Sequence, residues 1–142
     1  MTRICFVCLG NICRSPMAEF MMKNLIQKNG LSYYKIESRG TSYEEEGNDL
    51  YPPAKEKLKE KGIPYSRHYA KKLEKEDYEK FDLFYCMEEA NVFRCISIFG
   101  GDPSNKVKKL LERDISDPWY TGNFEKTYEA LEEGILSLMN HL

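Results

Sequence analysis

Apolar residues in this chain fall in short blocks, and the blocks alternate between two spacings. Ile4-Cys5-Phe6-Val7 is a continuous apolar run closed by glycine and asparagine, which predicts a buried strand over Thr2–Val7. After it, Met17, Phe20, Met21, Leu25 and Ile26 recur near helical spacing. They predict a helix over Pro16–Asn29, with Pro16 in its first turn and Asn29-Gly30 as its stop. Tyr33–Ser38 repeats the strand pattern and is closed by Gly40. Residues 43–50 form an acidic loop, and Pro53–Lys61 is a charged helix ended by Gly62. Leu73 and Tyr78 suggest a short helix over Lys71–Tyr78. Leu83–Met87 is a third apolar strand, followed by a helix over Glu88–Phe99 that Gly100-Gly101-Asp102-Pro103 stops. Val107–Leu111 is a fourth strand, blurred by its lysines. Phe124, Tyr128, Leu131, Ile135, Leu138 and Met139 give a long last helix over Asn123–Leu142.

Strands alternating with helices predict a doubly wound, four-stranded parallel sheet with helices on both faces. Ligands in such folds sit at the carboxyl ends of the strands, at the switch point. With 142 residues, 42% of them hydrophobic, the chain has room for one domain with one core, spanning 1–142.

A net charge of −2 gives no basic face for nucleic acid. No apolar run approaches the roughly 20 residues needed to span a bilayer. Met1-Thr2-Arg3-Ile4 runs straight into a strand and does not read as a signal peptide. Five cysteines, an odd number without disulfide or zinc spacing, point to a cytoplasmic protein with reduced thiols and no metal or other cofactor.

The chemistry is concentrated where the first strand meets the first helix. Cys8-Leu9-Gly10-Asn11-Ile12-Cys13-Arg14-Ser15 places a thiol at the strand end and an arginine six residues on, a pairing that occurs once. Unpaired N–H groups and the helix dipole make such a turn an anion cradle and favour a thiolate within it. Gly10 and Asn11 can adopt the positive φ angles that a tight cradle needs. Arg14 would add a planar fork matched to two phosphate oxygens. Thiolate, cradle and fork together describe a nucleophile that cleaves phosphate esters. The leaving group then needs an acid. Asp117, in the stiff turn Asp117-Pro118-Trp119-Tyr120, is the candidate, and Asp114 is its competitor.

The run CLGNICRSPMAE resembles the signature of the low-molecular-weight protein tyrosine phosphatases. The resemblance continues, in family order, through Ser38-Arg39-Gly40-Thr41-Ser42, Phe81-Asp82-Leu83-Phe84-Tyr85-Cys86-Met87 and Asp114-Ile115-Ser116-Asp117-Pro118-Trp119-Tyr120. It implies Cys8 as nucleophile, Leu9 to Arg14 as the phosphate-binding loop, Arg14 as clamp and Asp117 as acid. Asn11, Ser15, Ser42 and His68 become loop supports. Ile12, Tyr43, Trp119 and Tyr120 become an apolar rim for a flat ring. Cys13 becomes a redox partner able to close a reversible disulfide with Cys8. Cys5, Cys86 and Cys95 read as packing residues.

The implied partners are phosphotyrosine-containing proteins or peptides, met by a monomer with at most weak self-association. Isoleucine at position 12 resembles the tyrosine-directed branch, since related protein-arginine phosphatases carry threonine there. A thiol-coupled arsenate reductase of the same fold is the enzyme alternative; Cys86 and Cys95 are available for its relay but do not sit in the flexible segment that family would use. A phosphotyrosine-binding module is the non-enzyme alternative. Two departures stand out: Tyr51 and Pro53 replace an aspartate and an arginine found in many relatives, and Glu44-Glu45-Glu46 follows Tyr43. If that run borders the mouth, it should repel acidic peptides.

Overall fold

The computed structural model describes residues 1–141. Four parallel strands, β1 (Thr2–Cys8), β2 (Tyr34–Gly40), β3 (Leu83–Cys86) and β4 (Val107–Lys109), form one sheet in the order β2-β1-β3-β4. The interleaved helices are α1 (Arg14–Lys28), α2 (Pro52–Glu60), α3 (Asp77–Lys80), α4 (Glu89–Phe99), α5 (Pro118–Thr121) and α6 (Phe124–Met139). The predicted doubly wound α/β architecture is therefore the observed one.

Strand alternation sorts the side chains of β1 between two cores. Ile4, Phe6 and Cys8 join α1, α2 and α6 on one face, while Cys5 and Val7 join α3 and α4 on the other. β1 is central, with Cys8 opposite Gly40 on β2 and Val7 opposite Cys86 on β3. The chain reverses its winding at β1, so the end of β1 is the switch point, and Cys8 is its last residue.

Some boundaries differ from expectation. The helix α1 starts at Arg14, so Pro16 lies third in it, where a missing N–H still costs nothing. Positions 71–73 are extended rather than helical. Their backbone brackets the end of β2, with Gly40 N–H donating to Lys71 O (2.8 Å) and Leu73 N–H to Gly40 O (2.7 Å). The Asp77 carboxylate then accepts from Glu74 N–H, and only Asp77–Lys80 coils into a helix. Leu73 and Tyr78 are nonetheless buried anchors. The four-residue α5 was unforeseen, because its pattern is too short to show a period. The predicted end of α6 at Leu142 lies outside the described residues.

Candidate active site

The loop from Leu9 to Cys13 follows the end of β1 and lines a pocket. Cys8 through Arg14, Glu44, Glu45, Asp117, Trp119 and Tyr120 line that pocket. The loop turns on Asn11, whose φ is 61°; Gly10 is not among the positive-φ residues, contrary to expectation. A Cβ at Gly10 would meet the Glu45 Cγ at 3.4 Å, an ordinary contact, whereas one at Gly40 would meet Leu9 O at 2.9 Å, so it is Gly40 that lets the loop lie against β2.

The strained turn is held by hydrogen bonds to every polar group of Asn11. Its N–H donates to Cys8 Sγ (3.3 Å). Its Nδ2 donates to Ser15 Oγ (2.8 Å) and Ser38 Oγ (3.0 Å). Its Oδ1 accepts from Lys71 N–H (2.9 Å), and its carbonyl meets His68 Nε2 (2.7 Å). Ser38 Oγ in turn donates to Glu19 Oε1 (2.6 Å). Burial lowers the pKa of His68, which favours a neutral ring with Nε2–H as the donor. Ser15 Oγ already accepts from Asn11, and its own proton has Cys8 Sγ at 3.0 Å and the Arg39 carbonyl at 3.4 Å. The shorter contact places the Ser15 hydroxyl against the Cys8 sulfur.

Arg14 is almost fully buried and fixed from outside the loop. It donates to the Ile115 carbonyl at 2.8 Å, and lies 3.4 Å from Glu88 Oε2 and 3.3 Å from Asp117 Oδ2. Asp117 caps α5, its Oδ1 accepting from Trp119 N–H at 3.0 Å. Its competitor Asp114 lies off the pocket, where Glu89 N–H and Lys109 Nζ hold it. The Lys109 ammonium keeps that carboxyl below its ordinary range, so Asp114 is a poor proton donor.

Ile12, Trp119 and Tyr120 line the pocket, but Tyr43 does not. Its hydroxyl points to Glu74 and its ring lies under Lys72 Nζ, 4.7 Å away. Glu44 and Glu45 take part in the rim instead, while Glu46 turns aside to accept from Lys72 N–H. Ser42 supports the loop through its backbone, its N–H donating to Leu9 O at 3.1 Å, but its hydroxyl accepts from Glu44 N–H and takes no part in the network around Asn11. The strand ends before it, so Ser38, inside β2, fills that role. Glu19, Glu88 and Tyr51 were missed as well. Glu19 had a legible signal, a carboxylate between Ala18 and Phe20 on a buried helix face. Glu88 had none, and Tyr51 showed only as a departure from the family's residue, since their partners are distant in sequence.

Cys13 is buried beside Cys8, and that burial together with the neighbouring sulfur pushes its thiol pKa up. Cys86 Sγ and Cys95 Sγ lie 3.7 Å apart, fully buried and outside the pocket lining. No group of three or more His, Cys, Asp or Glu among the described residues is arranged to hold a metal. No helix among them is long and apolar enough to cross a membrane.

A parallel α/β sheet whose central strand ends on a thiol inside an anion cradle, with arginine and carboxylate opposite, has the construction of a cysteine-dependent phosphoester hydrolase. Residues 3–142 match the family model described as low molecular weight phosphotyrosine protein phosphatase. YfkJ, a low molecular weight protein-tyrosine-phosphatase of Bacillus subtilis, is 34% identical over 98% of this chain and 94% of its own. The crystal structure of SP-PTP, a low molecular weight protein tyrosine phosphatase from Streptococcus pyogenes, matches with a TM-score of 0.93. It is 36% identical and covers 100% of this chain and 93% of that one. A Drosophila arginine phosphatase matches with a TM-score of 0.90 at 27% identity, over 99% of this chain and 97% of its own. The chain belongs to the low molecular weight phosphotyrosine protein phosphatase family, cysteine-dependent hydrolases that act on phosphoproteins.

Proposed function

We propose that this chain hydrolyses phosphotyrosine on proteins or peptides through a cysteinyl-phosphate intermediate. The Cys8 thiolate attacks phosphorus, forming a sulfur–phosphorus bond as the aryl oxygen leaves. The N–H groups of Leu9 to Arg14 and the Arg14 guanidinium hold the equatorial oxygens. Asp117 gives its proton to the departing phenolate oxygen. Asp117, now a carboxylate, then takes a proton from water attacking the intermediate, and inorganic phosphate and free Cys8 result.

The observation that carries the proposal is convergence: Cys8 and Arg14, at the two ends of one loop, and Asp117, from the distant turn before α5, meet at one opening. Ile12 and Trp119 supply apolar walls for an aryl ring, and the recessed thiol favours a long tyrosyl over a short seryl phosphate. The buried Cys86–Cys95 pair lies away from the mouth, which disfavours the thiol relay of an arsenate reductase. The protein acts as a monomer on its substrates, without metal, cofactor or nucleic acid, in a cytoplasmic, thiol-reducing compartment.

The deciding experiment compares turnover on phosphotyrosyl, phosphoseryl and phosphoarginyl peptides for wild type, Cys8→Ser and Ile12→Thr. Wild type should favour phosphotyrosine. Cys8→Ser should lose turnover yet keep binding a phosphate mimic. Ile12→Thr should move preference toward phosphoarginine. Highest wild-type activity on phosphoarginine, or substantial turnover by Cys8→Ser, would sink the proposal.

A further inference from the structure

Asp117 sits at the start of α5, a short and weakly tethered element. α5 has four residues; Pro118 is buried, while Trp119 and Tyr120 are 49% and 78% exposed. Its backbone hydrogen bonds are local: Tyr120 and Thr121 N–H donate to Asp117 O, and Gly122 N–H to Pro118 O. So short a helix does not fix its own position. A carboxyl that must meet one oxygen of a bound phosphate ester needs better anchoring than that.

Tyr51 supplies an anchor. Its ring centroid lies 4.6 Å from that of Trp119 and 6.1 Å from that of Phe124, the first residue of α6. It therefore bridges the two ends of the segment that carries α5. Its own backbone is tied to the anion loop, Tyr51 N–H donating to Ile12 O at 3.0 Å. On the far side of the stack, Trp119 N–H holds Asp117 Oδ1 at 3.0 Å. Three contacts in series thus join the loop that holds the phosphate to the residue assigned as acid, alongside the direct Arg14–Asp117 ion pair.

The geometry points to Tyr51 as a positioning residue, whose ring holds Trp119 and, through it, the Asp117 carboxyl in register with the phosphate-binding loop. This rests on the assignment of Asp117 as the acid. The aromatic stack does the holding, so Tyr51→Phe should preserve function and Tyr51→Ala should impair it. What Tyr51→Ala loses is proton delivery, so the loss depends on how much proton the leaving group needs.

The test measures kcat/KM, which covers transfer to Cys8, on a phosphotyrosyl peptide and on an aryl phosphate whose leaving group needs no proton. Asp117→Asn serves as reference. Tyr51→Ala should lose about tenfold on the peptide and less than about twofold on the activated ester, part of the roughly 10²–10⁴-fold worth of a general acid. In the Asp117→Asn background Tyr51→Ala should add nothing. Trp119 is the single tryptophan, so its emission reports the stack directly and should shift to the red in Tyr51→Ala but not in Tyr51→Phe. Tyr51→Leu, which fills much of the space without a ring, replaces Tyr51→Ala if that variant misfolds.

Equal losses on both substrates would overturn the proposal, as would a Tyr51→Phe variant as impaired as Tyr51→Ala. If Asp117→Asn discriminates between leaving groups and Tyr51→Ala does not, only the role of Tyr51 fails. If Asp117→Asn itself does not discriminate, the acid assignment fails and takes the proposal with it.

Discussion

Replacing Ser38 by alanine removes one oxygen from the buried chain that supports Asn11. That oxygen makes two bonds, a donation to Glu19 Oε1 at 2.6 Å and an acceptance from Asn11 Nδ2 at 3.0 Å. A hydrogen bond to a charged group contributes about 1.5–3 kcal/mol, and a neutral one about 1 kcal/mol. Both losses are softened. Glu19 keeps Lys23 Nζ at 2.5 Å, and Asn11 Nδ2 keeps Ser15 Oγ at 2.8 Å. The expected destabilisation is therefore about 2 kcal/mol, a fall in melting temperature of about 4–8 °C for a domain of this size. Activity should fall as well. Asn11 stands at φ 61°, a conformation costing roughly 1 kcal/mol or more that persists only because its surroundings insist on it. Giving back about 1 kcal/mol of that restraint lowers kcat/KM about fivefold, since each 1.36 kcal/mol is tenfold. Thermal denaturation and steady-state kinetics on an activated aryl phosphate measure the two effects. Ser42→Ala is the control, because its hydroxyl only accepts from Glu44 N–H. Ser38→Ala with wild-type stability and kinetics, or Ser42→Ala with equal losses, would refute the argument.

The remaining predictions test the surroundings of the same loop. His68 has a pKa lowered chiefly by burial, so between that value and the ordinary 6.5 the unfolded chain binds the extra proton. Stability should be full above pH 6.5 and fall on acidification below it, and His68→Gln, which keeps a donor for Asn11 O, should flatten that slope; equal slopes remove the claim. Peroxide should oxidise Cys8 to the sulfenic acid, which condenses with the Cys13 thiol to a disulfide and water; thiol reductant should restore activity, and Cys13→Ser should make the loss harder to reverse. Mass spectrometry without a Cys8–Cys13 peptide after mild oxidation would remove that link. Glu44 and Glu45 on the rim should make basic-flanked phosphopeptides better substrates than acidic-flanked ones. Salt should shrink the difference, because exposed charges are screened within about 10 Å at 0.1 M. A peptide panel without charge preference at low salt, or one unmoved by changing both residues to glutamine, would contradict this.

How much of this was legible depends on whether the cause lay close in sequence. The strand under Cys8 is a buried parallel strand, and such strands are written as unbroken apolar runs. The cradle is local too, since strand end, turn and helix start occupy consecutive residues. The extended stretch at 71–73 was misjudged because Leu73 and Tyr78 fit a helical spacing equally well. What decides that stretch is the free edge of Gly40, a partner some thirty residues earlier that claims its backbone.

The two serines of the second motif show the same limit from the other side. Ser38 and Ser42 flank Arg39-Gly40-Thr41, and the resemblance pointed to Ser42. Period-two alternation from Ile36 would have put Ser38 on the same face of β2, and the strand register sets it opposite Phe6 in the core that contains α1. A hydroxyl facing α1 from there meets Glu19, a carboxylate on the buried side of that helix. Each of the two residues is unremarkable alone. Each would be costly to bury without the other, because a buried polar group must find a partner. Tyr51 differs in kind: nothing in its neighbourhood asks for an aromatic ring, and its meaning lies in Trp119 and Phe124, more than sixty residues away. A departure from the family's residue at such a position was visible as a departure. Only the packing turns it into a hypothesis about where the proton comes from.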